Sequence, residues 1–410
     1  MKQYDALVVG AGYAGAVSAR RLAEDGGKRV LVLERREHVA GNAYDCLDKD
    51  GIDGILIHKY GPHIFHTNDK RVYDYLSRFT KWRDYQHAVV ANIPDGRGGR
   101  MQFPVPFNLD SLEIAFGPEE GRRLGDKLIA AYGAEKKVTI LELRQNPDPE
   151  ISAIADYVYE HVFVHYTMKQ WGQKPEEIDP ATTARVPVFL SRDGRYFQDT
   201  YQGMPAHSYT RMFLRMLGHH NITLKTGTDA LEHLELTDGV IKLDGEVFDG
   251  PVIYTGQADE LFGFQFGPLP YRTLDFQFAR YMILPPDPIK EFSMLTQGQS
   301  IEGFVLSHGT VNYTVDEDYT RITEFKRLTG QEVPCYSTIM KEYSRAYTGA
   351  DGEIPYYAII NPENNALYAK YAELAARYPG LHLLGRLAEY KYYNMDAIAA
   401  RALALTDELL

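Results

Sequence analysis

At 410 residues the chain is long enough to bury a large core and to hold two or three domains. With 44% hydrophobic and 24% charged residues it is ordinary globular material rather than a disordered polymer, and a formal net charge of −12 argues against a nucleic-acid or anionic-membrane partner. Two cysteines, Cys46 and Cys335, cannot build a disulfide framework and no CxxC pair is present, so two reduced thiols are expected.

Residues 4–9 read as a buried strand, followed by Gly10-Ala11-Gly12-Tyr13-Ala14-Gly15 and an alanine-rich helix to about Glu24. Residues 29–33 form a second apolar strand ending on Glu34, which makes a βαβ unit with parallel strands. Only Met1-Lys2-Gln3 stand ahead of the first strand, and no apolar run approaches the roughly 18 residues of a membrane span. Neither signal peptide nor membrane span is expected, and the expected compartment is the cytoplasm. A glycine turn follows at Gly41, and then the loop Tyr60-Gly61-Pro62-His63-Ile64-Phe65-His66. Residues 95–100 (Asp-Gly-Arg-Gly-Gly-Arg) predict a hairpin loop.

From 109 to 171 the pattern is helical, with Pro147 and Pro149 interrupting it and a helix over 156–171 ended by Gly172. Beyond it, strand-like runs at 195–201, 273–284, 303–313 and 319–326 predict an antiparallel sheet. The more apolar runs 222–225 and 252–254 return to the first domain. The end of the chain completes that domain with a strand at 381–384, a turn at Gly385-Arg386, and Asn394 as N-cap. After it Ile398, Ala402, Leu405 and Leu409 form one apolar helical stripe. The fold class is therefore α/β: a discontinuous Rossmann-like domain (1–78, 206–258 and 355–410), a helical insertion (108–172), and an antiparallel sheet domain (79–107, 173–205 and 259–354).

The chemistry starts at the glycine loop. Gly10 permits a tight turn, Gly12 lets the backbone approach a pyrophosphate, and Gly15 lets helix and strand pack closely, with Tyr13 and Ala14 opening the helix. Glu34 lies 19 positions after Gly15, where a carboxylate can accept from ribose hydroxyls. Arg35, Arg36 and Gly41-Asn42 just beyond it resemble the second phosphate-contacting motif of two-dinucleotide-binding-domain flavoproteins, with Ala40 in place of a usual glycine. That resemblance favours FAD over NAD. It implies that Gly385, Arg386 and the helix opening at Asn394-Met395-Asp396 lie under the flavin, where the positive end of a helix stabilises an anionic reduced ring.

Further motifs make the chain resemble the bacterial UDP-galactopyranose mutases over almost its whole length. They are Gly61-Pro62-His63-Ile64-Phe65-His66-Thr67, Tyr166-Thr167-Met168-Lys169-Gln170-Trp171-Gly172, Ala184-Arg185-Val186-Pro187 and Arg195-Tyr196-Phe197. Tyr319-Thr320-Arg321-Ile322-Thr323-Glu324, Ile354-Pro355-Tyr356-Tyr357, Gly385-Arg386-Leu387 and Tyr392-Tyr393-Asn394-Met395-Asp396 continue the match. The resemblance implies interconversion of UDP-galactopyranose and UDP-galactofuranose with FAD active when reduced, its N5 attacking the anomeric carbon and displacing UDP without net oxidation. It implies Arg185 and Arg321 as a pyrophosphate clamp, with Tyr196, Tyr357 and Tyr392 bonding the diphosphate. Phe163, Tyr166, Thr167 and Trp171 would hold the uridine end, where His165 and Met168 depart from the common pattern. Gly61, His63, Ile64 and His66 would lie beside the flavin and sugar, and Phe197, His87, Asn312 and Asn394 near the substrate.

His63 and His66 at i, i+3 could also ligate a metal, but neither cysteine nor carboxylate accompanies them in the motif, so none is expected. Residues 172–197 are expected to close over substrate. NAD(P)H or another reductant and a homodimer or larger homo-oligomer are the implied partners. Two other readings share the first domain: a flavin amine oxidase or desaturase, which needs an apolar cavity and an electron acceptor, and a flavin-binding sensor. A mutase for UDP-N-acetylgalactosamine or a nucleotide-6-deoxyhexose would also fit the frame.

Overall fold

The computed structural model describes residues 3–172, 187–283, 303–333 and 335–410. Its organising layer is a five-stranded parallel sheet in the spatial order Ile222–Lys225, Val30–Leu33, Ala6–Val9, Val252–Tyr254, Leu381–Leu383. The central strands are apolar on both faces because both are covered. On one side lie helix Tyr13–Glu24 and the C-terminal helix Met395–Leu409, whose Ile398, Ala402 and Leu405 are buried, as the stripe predicts. This is the Rossmann-like unit expected from the βαβ pattern, assembled from distant parts of the chain.

A seven-stranded sheet forms the second layer, in the order Tyr357–Ala358, Tyr271–Met282, Tyr336–Ala346, Arg321–Glu324, Thr310–Asn312, Val89–Pro94, Arg100–Val105. All its pairs are antiparallel except Thr310–Asn312 with Val89–Pro94, which is parallel. The predicted hairpin at 95–100 closes the last pair, with the Asp95 carboxylate accepting from the amides of Arg97 and Gly99. Against this end packs the helical unit, whose core includes Leu112, Leu128, Leu143, Ile154 and Val158. No described helix is long and apolar enough to cross a membrane.

Four expectations need correction. Residues 195–201 are not a strand of the large sheet: Arg195 is held by Asp193, and Tyr196 N donates to the His87 carbonyl at 2.7 Å, so the chain bends there. The strand comes later, at Tyr201–Pro205, pairing with Phe65–Thr67 and Trp82–Arg83 in a separate small sheet. Of the run 319–326 only Arg321–Glu324 is extended, and Phe325–Thr329 is a short helix; of the described part of 303–313 only Thr310–Asn312 is a strand. The helical pattern does break at Pro147, between Ile140–Arg144 and Pro149–Val158, and Pro149 starts the second helix: Asp148 caps it by accepting from Glu150 N, and proline at the first position lacks only an N–H that would go unused. The single helix predicted over 156–171 is instead Pro149–Val158, a wider π-helical turn at Tyr159–Val164, and helix His165–Trp171. Asn394 does occupy the N-cap position of the last helix, but its side chain makes no capping hydrogen bond.

Candidate functional site

The C-terminal ends of the parallel strands open onto one elongated cleft, where open α/β sheets bind their ligands. It is lined by Gly10, Gly12, Tyr13, Ala14, Glu34, Arg35, Arg36, Gly41 and Asn42 at one end, and by His63, Gly385, Arg386 and Met395 at the other. Gly10 has φ +99°, and a Cβ there would lie 2.1 Å from Thr255 Oγ1; a Cβ on Gly15 would lie 1.9 Å from the Gly10 carbonyl. The glycine loop therefore folds over the helix start only because these positions carry no side chain. A Cβ on Gly12 would meet Gly41 Cα at 3.6 Å, so the two glycine turns face each other as bare backbone.

Two helices, Tyr13–Glu24 and Met395–Leu409, begin at this cleft, and neither has a side-chain cap. Each presents roughly half a positive charge from its exposed N–H groups. Glu34 is buried, accepting from Ala11 N at 2.7 Å and from Arg36 N at 3.0 Å, which fixes its carboxylate at the cleft wall. Arg36 lies 4.6 Å over the Tyr60 ring and donates to Asn42 Oδ1 at 3.0 Å, and its buried Nη1 has no partner among the described residues. Arg35 turns the other way, into Asp229 and Glu260. A phosphate-bearing dinucleotide fits these observations: glycine cradle, uncapped helix ends, orphaned guanidinium N–H and fixed ribose acid.

The second half of the site stands on the large sheet. Asn312, Arg321, Glu342 and Phe276 form one cross-strand row. Arg321 Nη2 donates to Glu342 Oε1 at 2.8 Å; Glu342 is fully buried, and Arg321 Nε and Glu342 Oε2 have no hydrogen-bond partner among the described residues. Burial works to lower the Arg321 pKa, but the Glu342 carboxylate, then Tyr166 and Tyr357, raise it well above the ordinary value. The guanidinium is permanently charged and pre-aimed, and the Asn312 amide oxygen beside it is also unpartnered. Around it gather Tyr166, Tyr196, Tyr357 and Tyr392, linked electrostatically to Arg321 or to one another. Tyr357 and Tyr392 stack at 6.0 Å, and Arg386 lies 4.7 Å over the Tyr392 ring, tying this cluster to the cleft. Burial raises the Tyr166 hydroxyl to about 12, against a smaller lowering by Arg321, so it stays a donor at neutral pH.

His63 and His87 are held as neutral rings. His63 is pushed down to about 3 by burial first and by His58 next; its Nδ1–H donates to the Gly61 carbonyl at 2.8 Å, which leaves Nε2 as an acceptor. His87 is likewise held down to about 3 by burial and then by Arg321. His66 stacks on Phe197 at 3.6 Å and bonds Asp199 through Nδ1 at 2.9 Å. So His66 does have a carboxylate partner that the motif spacing hides, though no group of three or more ligating side chains is assembled among the described residues.

Some expected residues stand apart. Phe163 lies inside the core of the helical unit, and Ile64 in the core beneath the cleft. Gly61 lies against Phe276 and Glu342 rather than on the cleft surface. Asn394 and Asp396 sit at the start of the last helix without lining the cleft, while Thr167 is buried on helix His165–Trp171. Arg185, the side chain of Trp171 and residues 173–186 of the expected lid lie outside the described residues. Three residues escaped the sequence reading. Glu342 orients Arg321. Lys169 Nζ donates to the carbonyls of Tyr313, Glu317 and Tyr319, pinning the turn that presents Arg321. Arg272 caps helix His165–Trp171 through the carbonyls of Lys169 and Gln170. For Glu342 and Arg272 the signal would have been a charged residue inside otherwise sheet-like sequence.

A family model described as UDP-galactopyranose mutase matches residues 161–392, and one described as NAD(P)-binding Rossmann-like domain matches residues 8–79. The UDP-galactopyranose mutase of Mycoplasma pneumoniae is 32% identical, with 100% of this chain and 96% of the relative covered. The dTDP-fucopyranose mutase of Escherichia coli is also 32% identical, covering 97% of this chain and 96% of the relative. The crystal structure of a reduced UDP-galactopyranose mutase superposes with a TM-score of 0.68, covering 100% of this chain and 94% of that one, at 17% identity, a likeness of fold. With a family model spanning more than half of it and full-length relatives above 30% identity, the chain belongs to the UDP-galactopyranose mutase family and is an isomerase.

Proposed function

We propose that this chain interconverts UDP-galactopyranose and UDP-galactofuranose, with FAD in the cleft, active when reduced, and no net redox change. The observation that carries the reading is Arg321: a permanently charged guanidinium with an unpartnered buried Nε, ringed by tyrosines beside the cleft. Bound and reduced, FAD would supply N5 as the nucleophile toward the anomeric carbon.

The residues' own work follows from their chemistry. Breaking the anomeric C–O bond leaves extra negative charge on the diphosphate, so Arg321 and the Tyr196, Tyr357 and Tyr392 hydroxyls would bind the transition state more tightly than the ground state. Glu342 holds the guanidinium in its plane, so donors need not reorganise when charge develops. The neutral rings of His63 and His87 suit a site whose nucleophile is not a protein group. Arg36 and the start of helix Tyr13–Glu24 would hold the cofactor phosphates, and the start of helix Met395–Leu409 would lie under the flavin. Arg185 is proposed as the second clamp residue, on the family motif alone. The cytoplasm, a reductant such as NAD(P)H and a homo-oligomer complete the proposal.

A half-buried, permanently charged arginine with four tyrosines is poorly suited to the apolar substrates of an amine oxidase, which disfavours that alternative. The dTDP-fucopyranose mutase relative favours a second reading, a nucleotide-6-deoxyhexose substrate on the same frame. The deciding experiment incubates dithionite-reduced protein with UDP-galactofuranose and, separately, with dTDP-fucopyranose, and analyses the products. Conversion of the first without stoichiometric loss of reductant supports the main reading, preference for the second would replace it, and consumption of one reductant per product would return the chain to the oxidoreductases.

A further inference from the structure

His58 ends strand Leu56–His58, just before the Gly61–His66 loop, and the mechanism above assigns it no role. Its ring is 1% exposed, packed edge-on against Tyr209 at 5.6 Å and beside Phe325 at 5.8 Å. Its Nδ1 accepts a hydrogen bond from the backbone N–H of His63 at 2.9 Å. An amide can only donate, so Nδ1 carries no hydrogen and the ring is the Nε2–H tautomer. Burial keeps it neutral, holding it down to about 3. Nε2 has no partner among the described residues, and His58 lines a small polar cavity of about 140 Å³ with Asp45, Tyr209 and Gln331, a place where water could serve that N–H.

The bond joins two otherwise separate things. On one side is a rigid pair of strands, Asp45–Leu47 and Leu56–His58, packed on the core. On the other is His63, whose ring lines the cleft and is locked by its own bond to Gly61. Around His63 the chain must turn sharply, because Gly61 is pressed against Phe276 and Ile64 returns to the core. Without an acceptor at His58, the His63 amide would be buried and unpaired, and the loop could satisfy it only by moving.

We propose that His58 is a positioning residue for the reaction: its Nδ1 fixes the main chain of His63, and through it the wall of the cleft against which the cofactor and sugar lie. A neutral acceptor at the Nδ1 position is what is required, not a histidine as such. The inference rests on the cleft being the flavin site, but its first test does not. Asparagine places its Oδ1 where Nδ1 stands, whereas glutamine carries its acceptor out to the Nε2 position.

The experiment compares wild type, His58→Asn and His58→Gln. In the flavin-free proteins, hydrogen exchange of the His63 amide should be equally slow in wild type and His58→Asn and at least about tenfold faster in His58→Gln. In the FAD-reconstituted, reduced proteins, kcat with UDP-galactofuranose should fall about tenfold in His58→Gln with KM little changed, together with a shift of the flavin absorption bands, and both should be near wild type in His58→Asn. Asn and Gln variants that behave alike in exchange would overturn the proposal. If His58→Gln does not fold, His58→Asn decides: loss of its amide protection, or of more than about threefold in kcat, overturns it. A wild type that takes up no FAD would sink the reading of the cleft while leaving the exchange result to stand.

Discussion

Replacing Arg321 by alanine separates two quantities that the structure ties together. The guanidinium donates to Glu342 at 2.8 Å from a side chain 23% exposed to the site, while Glu342 is fully buried. Removing the arginine therefore strips the diphosphate of a charge-assisted donor and leaves a carboxylate buried without its cation. The first loss is on the order of 2–4 kcal/mol in the transition state, or roughly 10²–10³ in rate. The second is about 3 kcal/mol of stability, the lower end for a broken buried pair because the arginine retains some solvent. At about 2.1 cal/mol/K per residue, 410 residues give an unfolding entropy of about 0.9 kcal/mol/K, so Tm should drop by only about 3–4 °C. Adding Glu342→Gln should restore most of that Tm and none of the rate, because a neutral amide no longer needs the cation. Arg321→Lys should keep the pairing and rescue turnover poorly, since a point charge lacks the planar fork. The assay is kcat and KM of dithionite-reduced protein with UDP-galactofuranose, beside thermal unfolding of the flavin-free variants. If Arg321→Ala kept more than about a tenth of kcat/KM, a loss below about 1.4 kcal/mol, Arg321 would not be the diphosphate donor and the function built on it would fail.

Arg185→Ala should lower kcat/KM by a similar roughly 10²–10³ with the flavin spectrum intact, on the strength of its family motif; an unchanged kcat/KM removes it from the clamp. Gly15→Ala should yield protein that cannot hold FAD, because its Cβ would stand 1.9 Å from the Gly10 carbonyl, and stoichiometric flavin in that variant would contradict the reading of the turn. Purified wild type should be yellow with non-covalent FAD and should take up little NAD. Stability should also depend on pH in a defined window. His58, His63 and His87 are each held down to about 3, below their ordinary 6.5, so the unfolded chain binds more protons than the folded one between those values. Their contribution is complete above pH 6.5 and is lost as pH falls through it, by up to about 1.4 kcal/mol per ring between pH 7.5 and 5.5, or about 4 kcal/mol for the set. Urea unfolding of the flavin-free protein at those two values measures it, and equal stabilities would show that the rings are not buried neutral.

How much of this was legible in the sequence depends on which physics wrote each part. The parallel sheet could be read almost strand by strand, because Ala6–Val9 and Val30–Leu33 are covered on both faces and must be apolar throughout. The glycine cradle could be read because a turn at φ +99° and a 1.9 Å approach leave only one residue type. The seven-stranded sheet could be read only in part: the runs 273–284, 303–313 and 319–326 overlap its strands Tyr271–Met282, Thr310–Asn312 and Arg321–Glu324, but the others were missed. Strand Tyr336–Ala346 buries Thr338, Met340 and Glu342 on one face and Ser337 and Ile339 on the other, so neither face is apolar throughout, and it passed unnoticed although it forms the long ladder with Tyr271–Met282. Thr310–Asn312 and Arg321–Glu324 also bury polar side chains, Thr310, Asn312 and Thr323, and their runs were read too long.

That failure has a physical cause that bears on function. A sheet face that must hold a charged ligand cannot be apolar, so its inward side chains are polar and must be satisfied by one another or by what binds there. Glu324 illustrates the first outcome, accepting from the amides of Val305 and Leu306. Asn312 Oδ1, Arg321 Nε and Glu342 Oε2 illustrate the second: among the described residues they are three unpartnered buried atoms in one cross-strand row, beside a tyrosine cluster and against the Gly61 turn. The break in the pattern is therefore itself the signature of the site. Filling that row with the valine and isoleucine that a sheet prefers would make the strand readable, and would remove the polar groups on which the proposed diphosphate site rests.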